Sequence, residues 1–478
     1  MPKAVQIVAT ESDSGKTQII SGLMYIFRHL KPFPFKGQNM SLNSYVGSDN
    51  GEMAFAQAYQ SMVANVTPNS ISNPVLLKPV QRGRTEVIFR GKSIGIFSAK
   101  DYWFRIKNDL KEKVFSIFQE VLSKENLVFV EGAGSCAEVN LKDNDFANLK
   151  LSTKFNLPFI LVSDIEKGGV FAKIIGSYEL MNKKEKELLL GIIINKMSGE
   201  KDLLKDGIDY IQKKTKKKVI GIIPYSENLL LPEEDSLGFT RSKFKKKVGS
   251  AKKISIKVIK LRYMSNFFDF YPLEVDSKYN EGIEFSYARI PEELDGSDVI
   301  IIPGSRNVFF DLKFLNDSGF SQKILKLVKR GKILIGICGG YEMFFRRIQD
   351  QFGIEFPRYQ TVVEGFGFIE DTLRFHIHKK VGWEKIYIKS PWFSGNVLGF
   401  NIRHGSNDLV YFSKDNVFGT FLHNIFWNDK FRESLYRYLG VDYKSKFVDN
   451  FKKETKNWSN LLKDNLDIDF IERNLRFS

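Results

Sequence analysis

Five short runs of aliphatic and β-branched residues restrict this chain to a narrow set of folds. Each closes on glycine or a polar residue, and helix-compatible stretches separate them. They are "AVQIVAT" from Ala4, "NLVFVEGAGS" from Asn126, "LPFILVSDIEKGG" from Leu157, "LLLGIIINKM" from Leu188 and "KKVIGIIPYS" from Lys217. A strand apolar at every position is buried on both faces, and such a sheet needs helices as its connections. The pattern predicts an α/β unit, a parallel sheet with helices on both sides. A second α/β unit opens with "ISIKVIKL" (Ile254 to Leu261). It continues through "SDVIIIPGS" and a long amphipathic stretch from Val308 to Lys329, and reaches "GKILIGICGG". Between the units lies "TRSKFKKKVGSAKK", polar and basic like a linker. The expected division is a first domain over 1–240, a linker over 241–253, a second domain over 254–443 and a charged helical tail over 444–478. A chain of 478 residues exceeds what one ordinary core organises.

Composition narrows the setting. Cys136 and Cys338 are too few for a disulfide framework and read as free thiols in a reducing cytosol. The start, "MPKAVQIVATESDSGK", has no apolar core of signal-peptide length, and no later run reaches the length of a membrane span. A soluble cytoplasmic protein is expected. Part of the net charge of +16 sits in "KKTKKK" (Lys213 to Lys218) and "RSKFKKK" (Arg241 to Lys247). A nucleic-acid patch would carry such runs, but aromatic interleaving and zinc-finger spacing are missing. Solvated helix ends and a linker account for the lysines more simply. Small-molecule partners are expected, with no nucleic acid and no membrane; the oligomeric state is left open.

In the second unit, Gly336-Ile337-Cys338-Gly339-Gly340 puts a thiol in a G-x-C-x-G frame between strand and helix. Small neighbours permit the sharp turn of a nucleophile elbow, which lifts the side chain to the C-terminal edge of the sheet. A helix N-terminus behind it would favour thiolate and help to hold an oxyanion. The alternative is a structural cysteine beside a tight turn. A cysteine nucleophile needs a base, and the chain has five histidines: His29, His376, His378, His404 and His423. His423, in "VFGTFLHNIFWND", follows a short apolar strand and can reach the elbow from a loop. His376 and His378 share one strand face, but no third metal ligand accompanies them. "IIPGSRNVFFDL" offers the backbone N–H groups of Gly304 and Ser305, with Gly339, as an oxyanion hole.

In the first unit, "ATESDSGKTQIISGL" is a variant P-loop. Backbone amides from Ser12, Asp13, Ser14, Gly15 and Lys16 would cradle phosphates, Lys16 would neutralise the outer ones, and Thr17 would ligate Mg²⁺. Strict spacing asks for glycine where Thr10 stands. Lys36 and Lys78 are strand-end cations suited to phosphate or substrate carboxylates, and Gln38 and Asn39 are placed with them as substrate contacts. Glu131 closes a buried strand where a carboxylate can hold Mg²⁺, with Asp49 and Glu52 as further metal or water ligands. Asp164, before Gly168-Gly169, ends another strand, where open α/β sheets bind ligands. Each of these acids also fits a helix cap or a surface ion pair.

Together these stretches carry a resemblance. "PGS", "GICGGYEM" and "GTFLHNIF" resemble the class I glutamine amidotransferase domain, in the cobyric acid synthase subgroup. "PFKGQNMSLNSYVGSDNGEMAFAQAYQ", "NPVLLKP", "EGAGSCAEVNLKDNDFANL", "SDIEKGGVFA", "INKMSG", "LPEEDSLGF" and "LRYMSNFFDFYPL" extend it from about Val5 to about Leu439. It implies a P-loop domain akin to dethiobiotin synthetase, followed by a flavodoxin-like class I amidotransferase domain. Cys338 would attack the glutamine amide, a glutamyl thioester would form and ammonia would leave, with His423 shuttling the proton. Many class I relatives carry glutamate two residues after the histidine; here that position is Ile425, which implies a Cys-His dyad with its orienting group undefined. The family's loop is one residue longer and begins with glycine where Ala9 stands, which requires negative φ there. Cys136 replaces a proline and reads as a small buried residue, not a second nucleophile. "GFNIRHGSN" resembles G-Y-E-I-H-M-G, with Asn401 and Arg403 in place of Glu and His, and with His404 next.

The implied activity is ATP- and glutamine-dependent amidation of the b, d, e and g carboxylates of adenosylcobyrinic acid a,c-diamide, giving adenosylcobyric acid in cobalamin biosynthesis. ATP with Mg²⁺ would sit on Lys16, Thr17 and Glu131, and the partners would be glutamine and a corrinoid. One alternative is the a,c-diamide synthase, against which "PFKGQNM" and "NPVLLKP" argue. Another is a P-loop switch ATPase that binds DNA through its lysine runs and carries a degenerate amidotransferase domain.

Overall fold

The computed structural model describes residues 4–81, 83–142, 145–226, 229, 231–232, 253–356 and 361–475. The expected linker, Lys253 apart, and the part of "LPEEDSLGF" beyond Pro232 lie outside the described residues.

Six parallel strands form the first sheet, in the order Lys218–Pro224, Leu189–Met197, Phe159–Asp164, Ala4–Ala9, Val128–Glu131 and Phe33–Phe35. Alternate side chains of each strand enter different cores, as the pleat requires. Val5, Ile7, Phe129 and Val162 pack with Ile19 and Leu23 of the helix Lys16–Ile26 and with Phe55 and Tyr59 of the helix Phe55–Val63. On the opposite face Val8, Leu161 and Ile192 meet Val170 and Ile174 of Val170–Glu179 and Ile211 of Lys205–Thr215. Val128 and Val130 meet Val114 and Phe118 of Lys107–Lys124. The expected layers are there. The first lysine run ends the helix Lys205–Thr215, whose cap Lys216 has φ +56°, and so belongs to a helix terminus.

A second, four-stranded sheet of the first domain was not foreseen: Gln38–Met40, Val75–Gln81, Arg84–Phe89 and Lys92–Ser98. It raises Lys78 and Glu86 towards the second domain.

The second domain's main sheet runs Ile283–Ala288, Ile254–Ile259, Val299–Ile302, Ile333–Ile337 and Val417–Thr420 in parallel, with Tyr411–Lys414 antiparallel at the edge. The stretch read as one amphipathic unit, Val308 to Lys329, is two helices, Val308–Asp317 and Phe320–Lys329. Gly319 between them has φ +84°, a conformation that ends a right-handed helix. A long hairpin, Ile369–Lys389 with Ser394–Ser406, is inserted between the Cys338 strand and the His423 strand. It reaches the first domain, where the Trp383 indole donates to the Val46 carbonyl at 2.9 Å.

The tail is helical, over Phe447–Asn465 and Ile468–Leu475, and it returns to the first domain. Trp458 and Leu462 cover the helix Lys16–Ile26, with the Trp458 indole donating to Gln18 O at 2.6 Å. The Asp467 amide donates to Ile220 O at 2.8 Å. Its charges lie outside an apolar stripe. Among the described residues no helix is long and apolar enough to cross a membrane.

One buried ion pair staples the second domain to the start of the tail. Arg432 is fully buried, and its Nε lies 2.7 Å from Asp276 Oδ2. Ser445 and Tyr436 hydroxyls donate to the same carboxylate at 2.8 and 3.0 Å. Removing one partner of such a pair leaves the other charge buried. Arg432→Met is therefore expected to lower stability by about 3–5 kcal/mol, read as a fall in the urea midpoint at unchanged slope.

Candidate active sites

The chain reaches Cys338 at the end of the Ile333–Ile337 strand and turns there with φ +47° and ψ −110°, a strained conformation for a residue with a side chain. The turn is held from both sides: the Cys338 amide donates to Thr420 O, and its carbonyl accepts from the Glu342 amide, both at 2.8 Å. Close backbone approach sets the glycines. A Cβ at Gly340 would lie 2.1 Å from Ile302 O, and one at Gly339 would lie 2.6 Å from Ser305 N. The elbow stands as expected, but its helix is one turn long, Gly339–Glu342, before the chain enters the strand Phe345–Asp350. So short a helix contributes little dipole, and the positive field on the sulfur comes from side chains.

One of those side chains is His423, which follows the Val417–Thr420 strand and lines the same cavity as Cys338. Its Nδ1 lies 2.7 Å from Asp269 Oδ2, whose other oxygen accepts from the Asn424 amide at 2.8 Å. Burial disfavours the imidazolium, but the Asp269 carboxylate and the Cys338 sulfur outweigh it and push His423 up to about 10. The orienting group that the sequence left undefined is thus an aspartate 154 residues before the histidine. It sits in "NFFDF", where a carboxylate among buried aromatics demands a partner, a signal the sequence did carry.

Arg403 supplies the second positive charge. Its Nε donates to Asn401 Oδ1 at 3.1 Å, Asn401 Nδ2 donates to Glu384 at 2.8 Å, and the guanidinium lies 3.7 Å over the Phe421 ring. Burial lowers Arg403, while Glu342 and Cys338 act to raise it. The two departures from the family pattern therefore form one supported unit beside the sulfur. His404 points elsewhere, to the first domain. Glu342 is pushed up to about 7 by burial, against the pull of Arg403 and His423.

The three residues assigned to the oxyanion hole come together. Gly304–Ser305 pairs with Met264–Ser265, placing the Ser305 backbone against Gly339, while the Ser305 hydroxyl turns away to Asp311 at 2.6 Å.

The P-loop lies between the Ala4–Ala9 strand and the helix Lys16–Ile26. Ala9 is still in the strand, which satisfies its requirement for negative φ. Asp13 and Gly15 have φ +59° and +89°, turning the loop into a concave nest of amides suited to anions. Lys16 Nζ bridges the loop to Gly134 O at 2.9 Å. Two residues missed in the sequence buttress it: Asn195 Nδ2 donates to Ser14 O at 2.8 Å and Lys196 Nζ to Asp13 O at 2.7 Å. Asp164 is buried and pairs with the same Lys196 at 2.8 Å, which places it beside the loop.

Glu131 gathers the expected partners. Oε1 accepts from Thr17 Oγ1 at 2.8 Å and Lys36 Nζ at 2.7 Å, and Oε2 from Gln57 and Gln60 at 3.2 and 2.6 Å. Asn39 Nδ2 reaches Gln57 at 3.1 Å, while Gln38 accepts from the Tyr102 hydroxyl.

Glu52, expected with Glu131 as a metal ligand, is instead clasped by Lys78 at 2.6 Å and by Lys379 of the hairpin at 2.7 Å, at the domain boundary. Burial opposes its charge, yet the two lysines hold it at about 2. Lys78 likewise belongs to the domain boundary. Asp49 is a turn residue, accepting from the Gly51 and Ser70 amides and the Ser70 hydroxyl. Cys136 is buried, and burial pushes its thiol up to about 12, which suits a structural residue. Among the described residues His376 and His378 join no metal-ligand cluster.

Residues 255–431 match the family model of a CobB/CobQ-like glutamine amidotransferase domain, and residues 3–232 match that of an AAA domain. The probable cobyric acid synthase of Thermococcus gammatolerans is 37% identical over 502 aligned residues, covering 98% of this chain and 99% of the relative. That of Picrophilus torridus is 38% identical over 460 residues, covering 92% of each. A cobyric acid synthase of Prochlorococcus marinus is 36% identical over 488 residues, covering 95% of this chain and 92% of the relative. Identity of this order along nearly the whole length settles the family: the chain belongs to the cobyric acid synthases.

Proposed function

We propose that the chain is a glutamine-hydrolysing ligase of cobalamin biosynthesis. It uses ATP to amidate the b, d, e and g carboxylates of adenosylcobyrinic acid a,c-diamide, giving adenosylcobyric acid. The observation that carries the reading is the His423–Asp269 pair in one cavity with Cys338, in a chain that also holds Lys16, Thr17 and Glu131 around a P-loop.

In the glutaminase, the Cys338 thiolate adds to the side-chain amide carbon of glutamine. Backbone groups of Gly304, Ser305 and Gly339 face the developing oxyanion. The His423 imidazolium gives its proton to the departing nitrogen, so the C–N bond breaks, a C–S bond remains and neutral ammonia leaves. Neutral His423 then takes a proton from water as it attacks the thioester. Glutamate departs, and the thiolate–imidazolium pair is restored. Asp269 holds the imidazole in one tautomer and stabilises its charged form.

In the first domain, Thr17 and Glu131 present two hard oxygen donors to one point beside the phosphate nest, a set that fits a magnesium ion, which takes few protein ligands and keeps its waters. Bound there with ATP, it would neutralise charge on the phosphoryl group in transfer. Lys16 and Lys36 add positive charge at the same corner. The acceptor carboxylate oxygen takes the γ-phosphoryl group as ADP leaves, ammonia adds to the resulting acyl carbon, and phosphate departs with that oxygen while the nitrogen gives up one proton. The switch-ATPase alternative is disfavoured by the intact array at Cys338 and by the place of the first lysine run at a helix end. The a,c-diamide synthase is disfavoured because the near-full-length relatives bear the other name.

Two experiments test the reading. With ATP, glutamine and the diamide, Cys338→Ala is expected to lose glutamine-driven product while retaining turnover with free ammonia; retained glutamine use would refute the nucleophile. Asp269→Asn is expected to lower glutaminase kcat by about 10²–10⁴, with little change in KM. His423 is raised, so its charged form and the stability it lends persist below its unfolded value of about 6.5 and are lost as pH climbs through about 10. Without the carboxylate, the alkaline limb of the rate profile should move to lower pH.

A further inference from the structure

One lysine of the first domain is buried without an acid to meet it. Lys107 opens the helix Lys107–Lys124 and is 5% exposed. Among the described residues its ammonium joins no ion pair and no hydrogen bond. Nζ lies instead 3.8 Å from the centre of the Trp103 ring and 6.0 Å from that of Phe146. Asp145 attracts it, but that carboxylate commits Oδ1 to the Ala147 and Asn148 amides at 2.8 and 3.1 Å. Burial, with Lys111 one turn on, pushes Lys107 down to about 8 against the pull of Asp145. A cation taken out of water with so little compensation is costly, and an anion arriving from solution would supply what the protein leaves out.

This lysine stands beside the phosphoryl corner. Lys36 pairs with Glu131 at 2.7 Å, and a Cβ on the next residue, Gly37, would lie 2.8 Å from Phe146 O. Phe146 is thus a neighbour both of the Lys36–Gly37 segment and of Lys107. A second route runs through the strand Gln38–Met40. The Tyr102 hydroxyl donates to Gln38, while Asn39 reaches Gln57, which donates to Glu131.

The surface around the lysine is apolar and open. Tyr102–Ile106 is a single π-helical turn, a wide coil that is rare and recurs at functional sites. It turns Tyr102 inward, sets Trp103 under the lysine and leaves Phe104 71% exposed. Met40, on the same strand face as Gln38, is 57% exposed. Exposed apolar side chains flanking one unpaired cation suit a ligand with an apolar body and an anionic edge. A macrocycle that carries several carboxylates on its rim has that chemistry. While one carboxylate takes the phosphoryl group at Glu131, the others must lie alongside. ATP, the other anionic substrate, would have its phosphates met by the loop amides and Lys16.

We propose that Lys107 grips one rim carboxylate of the corrinoid while another is activated at the Glu131 corner, and that Trp103, Phe104 and Met40 carry the ring. The proposal rests on the function proposed above and gives the acceptor its place.

The test measures initial rates with the diamide, ATP and glutamine varied in turn, for wild type, Lys107→Met, Lys107→Arg and Phe104→Glu. Lys107→Met should raise KM for the diamide about 10–100-fold, the worth of one charge-assisted contact, with kcat and the other two KM values near wild type. Lys107→Arg, which keeps the charge, should restore most of the loss. Phe104→Glu places a negative charge on the exposed surface and should raise the same KM and no other. An unchanged diamide KM in either Lys107→Met or Phe104→Glu would overturn the proposal, as would failure of arginine to restore it. A matching rise in KM for ATP would also overturn it, by giving the site to the nucleotide. A Lys107→Met chain that neither binds ATP nor releases glutamate has lost its fold, and Phe104→Glu then decides. No amide formed from the diamide by wild type would instead count against the function proposed above.

Discussion

Two aromatic rings, one from each domain, stand behind His423. Phe55 begins a first-domain helix and stacks on Phe268 at 4.0 Å with an interplanar angle of 4°. Phe268 precedes Asp269 and also stacks on Phe400, which exchanges backbone hydrogen bonds with His423. The carboxylate and the imidazole that must meet at 2.7 Å are thus both referred to a surface of the other domain. Buried aromatic stacks combine large apolar area with defined geometry, which is what holding a buried carboxylate–imidazole pair requires. Tyr45, Trp383 and the Asn266–Ser44 hydrogen bond extend the same contact. The glutaminase is built against the synthetase, not merely tethered to it.

The charged part of the boundary obeys a different logic. Removing Glu52, Glu86, Lys78, Lys379 and Arg306 from water costs more than a well-packed apolar patch would, and their mutual attraction roughly repays that desolvation. Stability does not explain such a cluster. Its charges fix the register between hairpin and first domain, and they leave a polar cavity next to the thiol where hydrocarbon would have sealed it.

Much of this was legible along the chain because the relevant physics is local. Apolar runs of strand length ending in glycine specify parallel strands, and Gly15-Lys16-Thr17 after such a run specifies a phosphate nest. A cysteine between glycines at a strand end specifies an elbow. Where the reading failed, the determinant was a partner distant in sequence. Glu52 looked like a metal ligand until Lys379, 327 residues later, claimed its second oxygen. The tail read only as a charged helix because its apolar stripe matters only against the helix that follows the P-loop.

The sequence by itself determined the two α/β units, the sharp turn at Cys338 and the phosphate loop, since backbone conformation and burial period are written in consecutive residues. Only the tertiary structure decided that Asp269 completes the array, that Arg403 and Asn401 act as one support, and that the domains share a buried charged boundary. Electrostatic partnership depends on distance in space, and the pairs that matter here lie 154 and 327 residues apart.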